Sequence, residues 1–407
     1  MSWPLVKLGT VIKFIRGVTF KPDDVIEPFS QDSIVVMRTK NVQASGLDSR
    51  DLIAIPKSIV KREEQKLKYG DLLISSANSW ELVGKVSFIE NLNYEATAGG
   101  FISIVRPKFN KIDERYLYHW VSSPKIQHAI RYCGRQTTNI SNLDVERFKE
   151  LEIPLPPLAE QERIASILDK ADAIRRKRQQ AIELADDFLR AVFLDMFGDP
   201  VENPKGWKVK SLSEGIESIS SGWSAKGENY PCDKDNYGVL KISAVTSGKF
   251  RPEENKFVYA EDIPEGKTLI YPKKGDLLFS RANTRELVAA TCIVPADYNN
   301  IFLPDKLWNV KTIDDELLPE FLNYLIWQPR FKETLTSQAT GTSGSMLNIS
   351  KAKFQNTDAI FPPVKIQEKF TSVYWKMQET IQRMEDASID SRKIFMSLSQ
   401  KAFSGEL

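Results

Sequence analysis

Gly70-Asp71-Leu72-Leu73-Ile74-Ser75-Ser76-Ala77-Asn78-Ser79-Trp80-Glu81-Leu82-Val83 returns, about 205 residues later, as Gly275-Asp276-Leu277-Leu278-Phe279-Ser280-Arg281-Ala282-Asn283-Thr284-Arg285-Glu286-Leu287-Val288. Each copy holds a strand-length apolar run behind a glycine turn. Working outward, Asn142-Leu143-Asp144, Phe148, Pro156-Pro157 and Gln161-Glu162 recur as Asn348-Ile349-Ser350, Phe354, Pro362-Pro363 and Gln367-Glu368. Even the starts agree, Trp3 through Leu8 being echoed by Trp207 through Leu212. The chain is one unit written twice.

Each copy divides into a globular part and a long helix. In the first, strand-like runs at Ser33–Met37, Asp71–Ser75, Lys85–Ile89 and Phe101–Val105 are separated by turns at Ser45-Gly46 and Tyr69-Gly70. Asp113–Val121 reads as a helix ended by Ser123-Pro124. The second copy repeats the order, with strands at Gly238–Ile242, Asp276–Ser280, Thr291–Val294 and Leu307–Lys311 and a helix at Leu317–Trp327. Proline runs, Pro154-Leu155-Pro156-Pro157 and Phe361-Pro362-Pro363, then break the chain.

Beyond the prolines, Ile164, Ile167, Leu168, Ala171, Ile174, Ala181, Ala185, Phe188, Leu189 and Val192 recur at three- and four-residue steps. Phe370, Val373, Met377, Ile381, Met384, Ser388, Ser391, Phe395, Leu398 and Ala402 do the same. These are narrow heptad seams free of Gly and Pro, and each spans about 50 Å at 1.5 Å per residue. Rough two-fold symmetry makes their pairing antiparallel; the alternative is that each packs only on its own globular part. A symmetric pairing also brings the two termini together, a circular arrangement. The fold class expected is α+β. Residues 1–153 and 199–361 form two similar mixed α/β domains, joined by helices in 154–198 and 362–407 that pair as an antiparallel coiled coil with pseudo-twofold symmetry. Two similar surfaces so related suit an object that is itself roughly two-fold, and duplex DNA is the obvious one.

Composition sets bounds. The 407 residues are 42% hydrophobic and 27% charged, with a net charge of +2. A non-specific nucleic-acid binder is usually far more basic, since phosphate contacts supply most of that affinity. A near-neutral chain needs local positive charge, or partner subunits, to clamp DNA. No apolar stretch reaches transmembrane length, and the start lacks the apolar core of a secretory signal. Cys133, Cys232 and Cys292 are isolated, so free thiols in a reducing cytoplasm are expected.

With these residues in hand, the chain resembles the specificity subunit of type I restriction–modification systems. The resemblance is carried by the repeated Gly-Asp-Leu-Leu strand, the Ile153-Pro154-Leu155-Pro156-Pro157-Leu158-Ala159-Glu160-Gln161-Glu162 helix entry and the Phe193-Leu194-Asp195-Met196-Phe197-Gly198-Asp199-Pro200 exit. The Ala402-Phe403-Ser404-Gly405-Glu406-Leu407 stretch completes it. It implies two target recognition domains, each reading half of a split DNA sequence, and a coiled coil that measures the gap. It further implies two modification subunits that methylate adenine with S-adenosylmethionine, and restriction subunits that use ATP and Mg. This chain itself would hold no cofactor or metal.

Base readout needs donors and acceptors that reach groove edges, with Arg on guanine and Asn or Gln on adenine as common pairs. The loop after the repeated strand offers Ser76, Asn78 and Trp80 in one copy and Arg281, Asn283 and Arg285 in the other. Ser76 against Arg281, and Trp80 against Arg285, are changes expected where two half-sites differ. The structural alternative for Asn78 and Asn283 is a turn cap. Arg38, Lys40 and Asn41 end one strand, and Lys241 and Ser243 the equivalent one; both groups are candidates for phosphate or base contact. Arg135, Gln136 and Thr137, with Ser343 and Ser345, lie in small polar loops suited to close approach to phosphate. Asn142, Asp144, Asn348 and Ser350 read as helix caps. The Arg175-Arg176-Lys177-Arg178 run reads as a solvated or partner-facing helix surface before a DNA contact.

Catalytic motifs are missing. There is no P-loop and no adenine-methyltransferase Asn/Asp-Pro-Pro-aromatic motif, and the two histidines, His119 and His128, both fall in the first copy. Glu-x-Lys triplets such as Glu254-Asn255-Lys256 and Glu265-Gly266-Lys267 leave open a stand-alone Mg-dependent endonuclease. A coiled-coil protein adaptor is the other alternative. The favoured reading is a non-catalytic, cytoplasmic DNA-recognition subunit.

Overall fold

The computed structural model describes residues 3–43, 46–136, 140–341 and 346–407. The chain forms two compact units, Met1–Ala181 with Met384–Leu407, and Ile182–Arg383.

In the first unit, antiparallel strands run in the order Ile12–Arg16, Ile102–Pro107, Leu72–Ser75, Val86–Phe88. Leu72 and Ile74 pack beneath Leu117, Trp120 and Ile153 on one face, and Leu73 joins Val35, Met37 and Ile104 on the other. A strand covered on both faces loses its polar alternation, which is why it reads as a continuous apolar run. A smaller sheet carries Ala96–Ala98 parallel to Ser33–Met37, with Ile53–Pro56 antiparallel beyond. The second unit repeats this. Its larger sheet runs Ile216–Ser221, Leu307–Thr312, Leu277–Ser280, Thr291–Ile293. Its smaller one centres on Tyr237–Leu240, parallel to Ile301–Phe302.

The repeated Gly-Asp pair has a structural cause. Gly70 and Gly275 have φ of 84° and 85°, a left-handed conformation that costs a side-chain-bearing residue but not glycine. The carboxylate of Asp71 accepts the Lys68 N–H at 2.8 Å and both Nε and Nη2 of Arg106 at 2.7 Å. Asp276 accepts the Lys273 N–H at 2.9 Å and Asn309 Nδ2 at 2.7 Å, and pairs with Lys311 Nζ. Each aspartate ties the turn to the neighbouring strand of the larger sheet.

The expected helix at Asp113–Val121 is Glu114–Ser122, with the Asp113 side chain accepting the Tyr116 N–H as its cap. Its equivalent is Pro319–Trp327. A second short helix, not expected from the sequence, follows in each unit, Pro124–Tyr132 and Pro329–Ser337. The proline that ends one helix also starts the next, because its missing N–H and fixed φ suit a first helical position.

The long helices are Leu158–Phe197 and Val364–Ser404, 40 and 41 residues, so each rises about 60 Å. They exceed the expected length because helix begins directly at the prolines: Gln161 N–H donates to Pro157 O, and Gln367 N–H to Pro363 O. Each helix divides between the two units. Within the first unit their pairing is antiparallel. Arg163 Nη2 donates to Leu407 O at 2.8 Å, while Arg178, fifteen residues on, reaches Ala387 O and Ser391 Oγ. Ile164, Ala165 and Leu168 share a core with Ala402. In the second unit Phe193 and Phe197 lie 5.5 and 5.7 Å from Phe370.

Polar locks fasten each lobe to its helices, and the two locks differ. In the first unit Arg115 Nε donates to Asp169 Oδ1 at 2.9 Å, and His119 Nε2 lies 2.7 Å from the same oxygen. Burial alone would raise the Asp169 carboxyl, but hydrogen bonds from His119 and Arg115 outweigh it and hold its pKa at about 2. In the second unit the corresponding positions hold Glu320 and Trp375, and Trp375 Nε1 donates to Glu320 Oε1 at 2.7 Å.

Two outcomes follow. Asp71→Asn strands Arg106 and should cost about 3 kcal/mol in chemical unfolding, whereas Asp276→Asn, whose partner Lys311 is half exposed, should cost about 1–2 kcal/mol. The depressed Asp169 pKa stabilises the fold above the ordinary carboxylate range, and that contribution disappears as pH falls towards about 2. Asp169→Asn should therefore flatten the acid limb of a stability–pH profile between about pH 4 and 2.

Candidate nucleic-acid interface

Past its last core residue, the Leu72–Ser75 strand turns into Ala77–Asn78, which pairs antiparallel with Ser141–Leu143. That strand pairs in turn with Gly134–Gln136. In the second unit Ala282–Asn283 pairs with Leu347–Asn348. Leu143 N–H donates to Ser76 O, and Ile349 N–H to Arg281 O, both at 2.9 Å. The two motifs most clearly repeated in the sequence are therefore neighbours on one small ribbon, in both units.

The expected contact residues are distributed unevenly around this ribbon. Ser76 is half-buried, and its Oγ donates to Phe101 O at 3.1 Å. Trp80 packs edge-on against Tyr132 at 5.3 Å. Arg135 is exposed at the ribbon edge, and its Nε donates to Asp144 Oδ2 at 2.9 Å. Backbone N–H of Arg147 and the Arg135 guanidinium together hold the Asp144 carboxyl below the usual range. Arg281 Nε donates to Asp305 O at 2.9 Å, with Nη2 3.4 Å from the Asp305 carboxylate. Arg285 is exposed with no hydrogen bond or ion pair among the described residues. Thr137, Ser343 and Ser345, and the side chain of Gln136, lie outside the described residues.

Several of the expected contact residues have partners within the fold. Asn41 is 1% exposed; its Oδ1 accepts the Arg38 N–H and its Nδ2 donates to Asp48 O, so it shapes a loop and faces no ligand. Arg38 and Lys40 are both drawn to Asp51. Ser243 Oγ donates to Glu254 Oε2 at 2.7 Å, beside the half-buried Lys241. Asn78 and Asn283 accept the following N–H at 2.9 Å, the capping alternative. Among the expected caps, Asp144 and Ser350 do cap. Asn142 does not: it is exposed in mid-ribbon, opposite Arg135 and Ala77, with no side-chain partner among the described residues. Its alternation with buried Ser141 and Leu143 is visible only in the structure. In the basic run, the partly exposed Arg175 and Arg176 pair with Asp172 and Arg178 with the second helix, while Lys177 is exposed.

Residues 2–184 match the family model described as type I restriction modification DNA specificity domain. The type I restriction enzyme EcoKI specificity subunit of Escherichia coli K12 is 27% identical over 429 aligned residues, covering all of this chain and 89% of that one. Over its whole length the chain is similar to type I specificity subunits. The StySPI specificity subunit of Salmonella potsdam is 24% identical with the same coverage. The fold is shared with the S subunit of a type I system from M. genitalium, at a TM-score of 0.58 and 14% identity over 99% of this chain and 96% of that one. No helix among the described residues is long and apolar enough to cross a membrane. Nor do the described residues gather three or more His, Cys, Asp or Glu side chains as a metal site would.

Arg285→Ala should leave unfolding stability within about 0.5 kcal/mol, while Asn41→Ala should cost about 2 kcal/mol by orphaning buried backbone groups. A thermal or denaturant melt of each variant separates the exposed candidate from the structural residue.

Proposed function

We propose that this chain is the non-catalytic DNA sequence-recognition subunit of a type I restriction–modification complex. The lobes in 1–153 and 199–361 each read one half of a bipartite site, and the helices in 154–198 and 362–407 set the gap between the halves. Two modification subunits supply S-adenosylmethionine chemistry on adenine, and restriction subunits supply the ATP- and Mg-dependent steps. The observation that carries this reading is the repeated ribbon. The same backbone unit occurs twice, with half-buried Ser76 and Trp80 in one copy replaced by half-buried Arg281 and exposed Arg285 in the other. Two readers of one design with different side chains suit two different half-sites. The net charge of +2 fits a subunit whose partners share the phosphate contacts.

Methylome sequencing of a host with and without this gene tests the reading. Loss of one bipartite adenine-methylation motif is the expected result; DNA cleavage by the purified chain alone would favour an endonuclease instead. In the assembled complex, Arg281→Ala should relax one half-site only, by about 1–3 kcal/mol of discrimination at one base pair. Removing one helical turn from the paired helices should change the spacing recognised without altering either half-site.

A further inference from the structure

Gly99–Ile102 makes a tight turn, closed by the Ile102 N–H donating to Gly99 O at 2.8 Å. Phe101 stands on it with 65% of its surface exposed. Its carbonyl accepts the N–H of Ser76 at 2.9 Å, the N–H of Ala77 at 3.3 Å and Ser76 Oγ at 3.1 Å, so the backbone under the ring is tied to the candidate ribbon. Gly17 lies against the same turn: a Cβ there would fall 2.2 Å from Gly99 O and 2.4 Å from Ile102 O. The turn is thus backed directly by the Gly17 main chain. Among the described residues no aromatic ring packs on Phe101, whereas the equally exposed Phe29 rests edge-on against Tyr94. A large ring held out on a stiff support loses little freedom on binding.

The second unit builds the same turn, closed by Leu307 N–H to Pro304 O at 3.3 Å. There Lys306 occupies the equivalent place, and its carbonyl accepts the Arg281 N–H at 3.1 Å. One backbone position thus carries an aromatic ring in one unit and a cation in the other. This is the same kind of change as Ser76 against Arg281, immediately beside it.

The geometry points to Phe101 as a specificity-determining residue that makes an apolar contact with a base in the half-site read by the first unit. Thymine is the base of matching chemistry, because its 5-methyl is the apolar group on the major-groove edge. This rests on the DNA-reading role proposed above.

The test uses the assembled complex carrying wild-type chain, Phe101→Ala or Phe109→Ala. Phe109 is the control: it is 89% exposed and follows the other end of the same Ile102–Pro107 strand. Methylome sequencing should show Phe101→Ala losing about tenfold discrimination at one T·A pair of one half-site, with the other half-site unchanged and Phe109→Ala indistinguishable from wild type. Replacing that thymine by uracil in a binding duplex should weaken the wild type and add nothing to Phe101→Ala. An unchanged motif in Phe101→Ala, relaxation at a G·C pair, or a uracil substitution without effect overturns the assignment. A wild-type complex that yields no bipartite motif refutes the DNA-reading role itself, so the two failures are distinguishable.

Discussion

A single buried amide in each unit holds lobe and helix in register. Gln161 is 1% exposed; its Oε1 accepts the Asp113 N–H at 2.9 Å, and its Nε2 donates to Pro156 O at 2.8 Å. Gln367 is fully buried and does the same for Leu318 N–H and Pro362 O, with a further bond to Glu316 O. The proline break leaves carbonyls with no helical partner, and the start of the lobe helix leaves N–H groups with none. One side chain answers both needs at the point where the long helix begins. A buried amide bonded at both ends fixes direction as well as energy, since another exit angle would break its bonds to lobe and helix together.

The duplication separates what the backbone requires from what a ligand requires. Gly70 and Gly275, Asp71 and Asp276, and Gln161 and Gln367 agree because each answers a demand of main-chain geometry. Positions around the ribbon diverge, and their side chains find different partners in each unit: Ser76 bonds Phe101 O and Trp80 packs on Tyr132, whereas Arg281 bonds Asp305 and Arg285 is exposed. Ala289 shows how firm the constraint is. It replaces Gly84 yet keeps a left-handed φ of 62°, tolerating strain of about 1–2 kcal/mol to preserve the turn.

Much of the architecture was legible in one dimension. The strand at Ser33–Met37 was read to the residue, and the central strands to within two, because burial on both faces leaves an uninterrupted apolar signature. Pro124 reads in sequence as an end and in the structure is also a beginning, since a proline carries both meanings. The site was less legible. Asn41, Asn78 and Asn142 look alike in sequence, but one is buried, one caps a turn and one faces solvent. Only tertiary neighbours decide which amide is already spent. Phe101 was passed over for the same reason, as composition does not distinguish a core phenylalanine from a displayed one.

The unlike fastenings of the lobes constrain how such a protein can be rearranged. Arg115 meets Asp169, whereas Glu320 meets Trp375. Transplanting the second lobe onto the first lobe's half-helices would set two carboxylates face to face, and the reverse exchange would deprive the Arg115 guanidinium of its carboxylate. The interchangeable cassette is therefore not the lobe but the lobe together with its own stretch of rod, and new specificities assembled from old parts must inherit both.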